Sequence, residues 1–100
     1  MKIVCWNVRG LGKLRAVRRL RSKIRVVHPQ ILFLMETKVS AVHMEKIRRK
    51  CGFIHGLDID ADGSRGGLSL WWSAEFMVTL CSYSSFHIDV NVTDGDSNNI

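Results

Sequence analysis

Hydrophobic and polar positions divide the start of the chain into a short apolar run and a long amphipathic stretch. The apolar run, residues 3–6, is followed by Asn7 and by a turn with two glycines, which predicts a short buried strand. Between residues 13 and 27 apolar side chains recur every three or four positions. This spacing predicts a helix with one apolar stripe and otherwise basic faces. Pro29 ends the helix, because proline disfavours helical geometry in the residue before it.

A second apolar run and a second helix follow. Residues 31–35 are all apolar, as in a strand buried on both faces, and Glu36 ends the run. A strand, a helix and a strand of these lengths predict a right-handed crossover between two parallel neighbours. Because the carboxyl ends of parallel strands meet at one edge of a sheet, we expect Asn7 and Glu36 at the same edge. Residues 40–50 predict another helix, with a narrow apolar edge and a basic far side.

The second half of the chain changes to short strand-like runs joined by polar turns. These runs cover residues 53–59, 68–72, 76–81 and 86–92. The short connections between the last three predict antiparallel pairing in a meander. The Asp94-Gly95 pair signals a hairpin, for which only a few residues remain. The chain is therefore expected to stop inside a sheet.

Length and composition limit the class of protein. One hundred residues, 46% hydrophobic and 24% charged, predict a single globular domain over residues 1–100. No apolar stretch approaches the roughly 20 residues of a membrane span, and the N-terminus lacks the pattern of a signal peptide. The three isolated cysteines, at positions 5, 51 and 81, are expected to be reduced core thiols of an intracellular protein.

The net charge of +6 is divided unequally between the two halves of the chain. Residues 1–50 hold fourteen of the fifteen Lys and Arg residues and two acids, a balance of +12. Residues 51–100 hold one Arg and seven acids, a balance of −6. This asymmetry favours a polyanion such as nucleic acid as the partner of the basic half, and a solvated basic helix without a partner is the alternative.

Two binding patterns are present only in part. The glycines at positions 10 and 12 resemble a dinucleotide fingerprint, but its third glycine is replaced by Arg15, whose side chain would prevent close packing of helix on strand. Residues 58–63 match the first half of an EF-hand loop, but the bidentate Glu at its twelfth position is replaced by Ser69. We therefore expect no dinucleotide cofactor, and we interpret residues 58–63 as an acidic turn.

Glu36 is the candidate with the clearest chemistry. It follows an apolar run, and burying a lone carboxylate is costly unless a cation or hydrogen bonds compensate. The residues alone leave two compensations open. One is Mg²⁺, beside which Asn7 would orient a phosphate or a water molecule. The other is an ion pair from Glu36 to Lys38 or to an arginine of the first helix.

Three ordered segments resemble the endonuclease/exonuclease/phosphatase family. They are MKIVCWNVRGLG at residues 1–12, PQILFLMETK at residues 29–38 and GSRGGLSLWW at residues 63–72. Their order and spacing are most similar to the N-terminal endonuclease domain of plant LINE-type retrotransposons. The chain departs from the family pattern at Gln30, where Asp is common, and at residues 13–14, where Asn-Pro often begins the helix.

The resemblance implies an α/β (α+β) fold: a two-layer β-sandwich of mixed sheets flanked by helices, of which this chain would be the N-terminal part. It implies Mg²⁺-dependent hydrolysis of phosphodiester bonds, with Mn²⁺ as a substitute, and nicking of DNA in the retrotransposon branch. Glu36 would be a metal ligand. Asn7 would belong to the catalytic residues that bind phosphate and organise the metal. A location in the nucleus would agree with this activity.

Basic residues beside these positions and on the first helix are the candidate nucleic-acid contacts: Arg9, Arg18, Arg21 and Lys38.

The family's later motifs, a tyrosine-bearing strand, G-D-x-N and S-D-H, supply the general base and further metal ligands. Residues 95–98 formally read G-D-x-N, but turn chemistry explains them. The chain is therefore expected to be an incomplete endonuclease domain, inactive by itself. The alternative is a non-catalytic nucleic-acid-binding module that uses the helix at 13–27.

Overall fold

The computed structural model describes residues 2–62 and 65–94, which form an α+β fold. Its elements follow one another as β1 (Ile3–Asn7), α1 (Leu14–Val27), β2 (Ile31–Met35), α2 (Ala41–Lys50), β3 (His55–Ile59), β4 (Leu68–Trp72), β5 (Phe76–Ser84) and β6 (His87–Asp94). Both predicted helices and all predicted strands are confirmed, with bounds that shift by a few residues. None of the helices in this part of the chain is long and apolar enough to cross a membrane.

Four strands form a mixed sheet in the order β1-β2-β4-β3. The pair β1–β2 is parallel and is connected through α1, which confirms the predicted parallel pairing of these two strands. Strand β4 pairs antiparallel with β2 on one side and with β3 on the other. Strands β5 and β6 form a separate antiparallel hairpin with an irregular register between Leu80 and Ser82.

The core lies between the mixed sheet and the two helices. Strand β2 is central because its side chains are apolar at every position, and Leu32 and Leu34 are completely buried. Helix α1 places Val17 and Leu20 in this core, as its apolar stripe predicts. It ends at Val27 and is capped by His28, whose left-handed conformation (φ 52°) precedes Pro29. The first strand, the first helix and the second strand thus form one packed unit.

Helix α2 is held to β3 by a buried ion pair. The Arg48 Nη1 atom lies 2.6 Å from Asp58 Oδ2, and the two side chains are 7% and 10% exposed. The Ser69 hydroxyl on β4 donates to the other carboxylate oxygen of Asp58 at 2.6 Å. Gly56 permits this arrangement, because a Cβ atom there would lie 2.5 Å from Arg48 Cδ. The first acid of the 58–63 stretch is therefore part of the fold's packing.

Two sequence-based expectations about the strands are wrong. Strand β1 is not buried: it lies at the edge of the sheet, its residues alternate between exposed and half-buried, and Ile3 is 58% exposed. The last three strands do not form a meander, because both edges of β4 are already paired with β2 and β3. The chain therefore leaves the first sheet after Trp72 and begins a new one at Phe76. The predicted G-D-x-N stretch and the predicted return of the hairpin lie outside the described residues.

The cysteines also differ from the prediction. All three are free, but Cys5 and Cys81 are exposed and only Cys51 is partly buried. Cys5 is exposed because its strand lies at the sheet edge, where it alternates with half-buried neighbours. The expectation of three core thiols is therefore wrong for two of them.

Candidate functional site

The loops that follow β1 and β2 run side by side beyond the ends of the strands. The Gly10 N–H donates to the Glu36 carbonyl oxygen at 2.8 Å, and the Leu11 N–H donates to the Thr37 carbonyl oxygen at 2.9 Å. These bonds extend the parallel pairing of the sheet into the loops. Asn7, the last residue of β1, and Glu36, the first residue after β2, therefore lie at the same edge, as predicted.

A third loop, just before β4, closes this edge. The Thr37 N–H donates to the Gly67 carbonyl oxygen at 3.2 Å, and the Lys38 N–H donates to the Gly66 carbonyl oxygen at 2.8 Å. A Cβ atom at Gly67 would collide with the hydroxyl oxygen of Thr37, so only glycine fits there. That hydroxyl is fully buried and has no hydrogen-bond partner within the described residues. We call residues 8–12, 36–39 and 66–67 the edge loops.

The backbone of the edge loops is strained. Arg9, Glu36 and Lys38 have φ values of 54°, 54° and 58°, in the left-handed region that residues with a Cβ atom rarely occupy. Such a conformation costs about 1–2 kcal/mol per residue. Three of the four non-glycine residues with positive φ in the described part of the chain belong to the edge loops. Strain of this kind persists only where surrounding contacts impose it, and it is concentrated at functional sites in proteins.

The candidate catalytic residue, Asn7, and the candidate metal ligand, Glu36, are held differently. Asn7 accepts a hydrogen bond at its Oδ1 atom from the Arg9 N–H at 3.1 Å, which fixes the side-chain amide at the end of β1. Glu36 is exposed, so the expectation that it is buried is wrong. Strand β2 ends at Met35, and Glu36, with a left-handed backbone (φ 54°), begins the loop that follows it. Within the described residues, Glu36 makes no ion pair with Lys38 or with an arginine of α1.

The donor set suits a metal ion only in part. Residues 2–62 and 65–94 contain no group of three or more His, Cys, Asp or Glu side chains that could hold a metal. Mg²⁺, however, is commonly bound through one or two carboxylates, with water and substrate phosphate oxygens as its other ligands. An exposed carboxylate without an ion-pair partner, at a strained edge, fits such a role. Glu36 is thus the candidate for a single protein ligand, and Asn7 lies at the same edge of the sheet.

A cleft of about 650 Å³ opens from this edge and continues along α1. Trp6, Asn7 and Leu11 line it, whereas Glu36 is not among the described residues that form its wall. Among the described residues that form its wall none is acidic and six are cationic: Arg9, Lys13, Arg15, Arg19, Lys23 and Lys38. The first turn of α1 lines the cleft, so the positive end of the helix dipole adds to this potential. This turn carries no acid that would neutralise it. We call this space the basic cleft.

The basic cleft includes only some of the predicted nucleic-acid contacts. Arg9 and Lys38 line it, whereas Arg18 and Arg21 lie elsewhere on α1. Arg21 acts on Cys51, at the end of α2: burial raises the pKa of the Cys51 thiol to about 11, and the positive charge of Arg21 opposes this rise. Arg15, Arg19 and Lys23 were not among the predicted contacts, although their i, i+4, i+8 spacing places them on one row of the helix.

An aromatic ring forms part of the same cleft. Trp6 is half-buried, and the Lys23 Nζ atom lies over its ring at 5.7 Å from the centroid, within the range of a cation–π interaction. The ring packs against the core from the edge strand β1. The basic cleft therefore combines a row of cations with a π-surface.

Comparison with protein-family models and with curated proteins gives no match for this chain.

Proposed function

We propose that this chain forms the N-terminal part of a magnesium-dependent phosphodiesterase site of the endonuclease/exonuclease/phosphatase type, acting on DNA as in a LINE-type retrotransposon endonuclease. The observation that carries the proposal is the edge of the sheet at which Asn7 ends β1 and Glu36 follows β2. It is built from strained loops and opens into a cleft with six cations. Nuclear activity on DNA belongs to the same proposal.

Each part of this edge has a role in binding a phosphodiester. The cations of the basic cleft would neutralise backbone phosphates. Glu36 would hold the ion, Mg²⁺ or Mn²⁺, which when bound would neutralise charge on the reacting phosphate. The Asn7 amide, already fixed by the Arg9 N–H, would orient a phosphate oxygen or a water molecule. Fixed groups of this kind need no reorganisation when charge develops.

The fold of the proposed domain would be a two-layer sandwich. The hairpin β5–β6 would begin its second sheet, since it departs from the mixed sheet at Phe76, which is buried. Leu57 and Ile59 on β3 line a pocket together with Leu80 and Ile88 of the hairpin, which supports a face-to-face arrangement of the two sheets.

The chain is not expected to hydrolyse DNA by itself. Among the described residues this edge offers Glu36 and Asn7, and phosphodiester hydrolysis also needs a group that activates water. Catalytic groups act as a unit, so that a partial set retains little of the rate. The proposal therefore separates binding, which the chain would perform, from turnover.

Incubation with supercoiled plasmid and Mg²⁺ tests this separation. We expect binding of the plasmid without conversion to the nicked form, in both the original chain and the Glu36→Gln variant. The measurement is the fraction of relaxed plasmid on an agarose gel. Nicking by the original chain that disappears in Glu36→Gln would show a complete site and would overturn the proposed inactivity.

A second candidate function is supported by the cleft alone. A non-catalytic nucleic-acid-binding module would use the cations of α1 and would not need Glu36. Its binding to DNA would be salt-sensitive, unchanged by Mg²⁺ and unchanged in Glu36→Gln. A response of the binding affinity to Mg²⁺ that is lost in Glu36→Gln would favour the phosphodiesterase site over this module.

A further inference from the structure

The basic cleft has a geometry that selects among nucleic acids. Arg15, Arg19 and Lys23 are successive members of one helical row, and all three line the cleft. Four residues of helix advance about 6 Å along its axis, so the row extends over about 12 Å. This step is comparable to the separation of successive phosphates along an extended polynucleotide strand. The row can thus contact consecutive phosphates of one strand.

The opposite side of the cleft provides a place for a base. Trp6 belongs to the edge strand β1 and is half-buried, and the Lys23 ammonium lies over its ring, 5.7 Å from the centroid. A base that stacks on the ring would take the place of this ammonium, which the flexible Lys23 side chain can move to a phosphate. An unpaired base can stack on such a ring, whereas the bases of a duplex are already stacked on one another. A groove of cations with an aromatic platform is the usual arrangement for single strands.

The charge of the wall excludes ligands that need acidic contacts. Among the described residues that line the cleft, every charged side chain is cationic. The part of the cleft lined by Asn7 and the edge loops lies where the proposed function requires a phosphodiester. A strand bound along α1 would therefore extend to that edge.

We infer that the basic cleft binds a single-stranded polynucleotide, with consecutive phosphates on Arg15, Arg19 and Lys23 and one base stacked on Trp6. The inference rests on the proposed function for the class of ligand, which is nucleic acid. It adds that this nucleic acid is single-stranded, and it names the residues that distinguish a single strand from a duplex. Binding needs no metal ion. It can therefore be tested separately from the role of Glu36.

Fluorescence anisotropy in EDTA measures the binding directly. The probes are an oligothymidylate of about 12 nucleotides, within the roughly 4–16 nucleotides of known single-strand sites, its oligouridylate equivalent, and a duplex of the same length. We expect either single strand to bind more tightly than the duplex. A duplex bound equally well or better would overturn the inference, and so would the absence of binding at low salt.

Paired variants test the row. Replacing both Arg15 and Arg19 by Ala should lower the slope of log K against log salt by about 1.4, because each phosphate contact of a single strand contributes about 0.7. The control replaces Lys46 and Lys50, exposed on α2, by Ala and removes the same charge. It should leave the slope unchanged. A third pair, Arg18→Ala with Arg21→Ala, tests the sequence-based prediction. If this pair or the control lowers the slope as much as the first, the binding is diffuse and the cleft is not its site.

Variants of Trp6 test the stacking. Trp6→Leu keeps an apolar side chain and should weaken binding of the single strand by roughly 5-fold to 150-fold, while Trp6→Phe should keep most of the affinity. The thermal melt of each variant reports whether it folds. If Trp6→Leu does not fold, tryptophan fluorescence of the original chain replaces it: quenching by the strand is expected, and it should be absent in Trp6→Phe. Equal affinity in all three chains, or equal quenching in Trp6→Phe, would overturn the stacking.

An acidic protein segment is the competing ligand for a cationic wall. Polyglutamate, which carries charge without bases, should compete with the oligonucleotide only weakly. If polyglutamate at an equal concentration of charge displaces the oligonucleotide, the cleft recognises charge alone, and the inference is contradicted.

Discussion

Substitution of Gly67 by Ala should destabilise the edge loops through a steric clash, and the size of the loss in unfolding free energy follows from the geometry. Gly67 has φ 91°, and an added Cβ atom would collide with the buried Thr37 hydroxyl and lie 3.1 Å from the Lys38 nitrogen. The left-handed conformation alone costs about 1–2 kcal/mol for an L-residue. Overpacking adds about 1–3 kcal/mol. The expected loss of unfolding free energy in Gly67→Ala is therefore roughly 2–5 kcal/mol.

The neighbouring glycine provides a matched control. Gly66 has φ 69°, and an added Cβ atom would meet no atom within 4 Å. Gly66→Ala should therefore lose only the conformational cost, about 1–2 kcal/mol. The difference between the two variants measures the clash with Thr37. Removing the obstacle in Gly67→Ala with Thr37→Ala should restore part of the loss, with a coupling energy of about 1–3 kcal/mol.

Urea unfolding followed by tryptophan fluorescence is the assay, since Trp71 is completely buried. The slope with denaturant should be the same in all variants, so that the midpoints compare stabilities. Equal losses in Gly66→Ala and Gly67→Ala would refute the packing of the third loop on Thr37. A double variant that is as unstable as the sum of its parts would refute the Thr37 contact in particular.

Two further predictions concern other buried groups. Asp58→Asn should cost about 3–5 kcal/mol of unfolding free energy, because it leaves the Arg48 charge buried without its partner, and Arg48→Met with Asp58→Leu should recover most of it. Chemical denaturation of the single and double variants checks this, and equal stability of Asp58→Asn and the original chain would contradict it. Burial raises the pKa of Cys51 from 9.0 to about 11. We therefore compare the unfolding free energy of the original chain with that of Cys51→Ala as the pH changes. The difference should be constant below pH 9 and should shift against the original chain as the pH rises from 9 towards 11, because the thiol ionises more easily in the unfolded chain. At pH 8, iodoacetamide should modify Cys5 and Cys81 well before Cys51, and equal labelling rates by mass spectrometry would contradict the burial.

The elements with local signals were predictable from the sequence. The spacing of apolar residues in α1 and the unbroken apolar run of β2 depend only on neighbours along the chain, and both are confirmed. The burial of β1 and the position of β4 in the sheet depend on which strands pair with them. That information is non-local, so periodicity could not show that β1 lies at an edge or that β4 lies between β2 and β3.

The site was predictable at the same level. The shared edge of Asn7 and Glu36 follows from the parallel crossover, and the structure confirms it. The exposure of Glu36 follows from its left-handed backbone, for which the sequence has no signal because glutamate is not a residue that prefers it. Helix α1 is basic on several faces. Which row of cations faces Trp6 depends on how the helix is rotated about its axis against β1. Composition alone does not contain this rotation.

Binding of Mn²⁺ in the presence of a single-stranded oligonucleotide tests the proposed site most directly. The electron paramagnetic resonance signal of free Mn²⁺ reports how much ion the protein takes up. Glu75→Gln, which removes an exposed carboxylate at the turn before β5, is the control for Glu36→Gln. We predict uptake of one ion that requires the oligonucleotide, persists in Glu75→Gln and is lost in Glu36→Gln. Uptake that is the same in both variants, or no uptake by the original chain, would contradict the account.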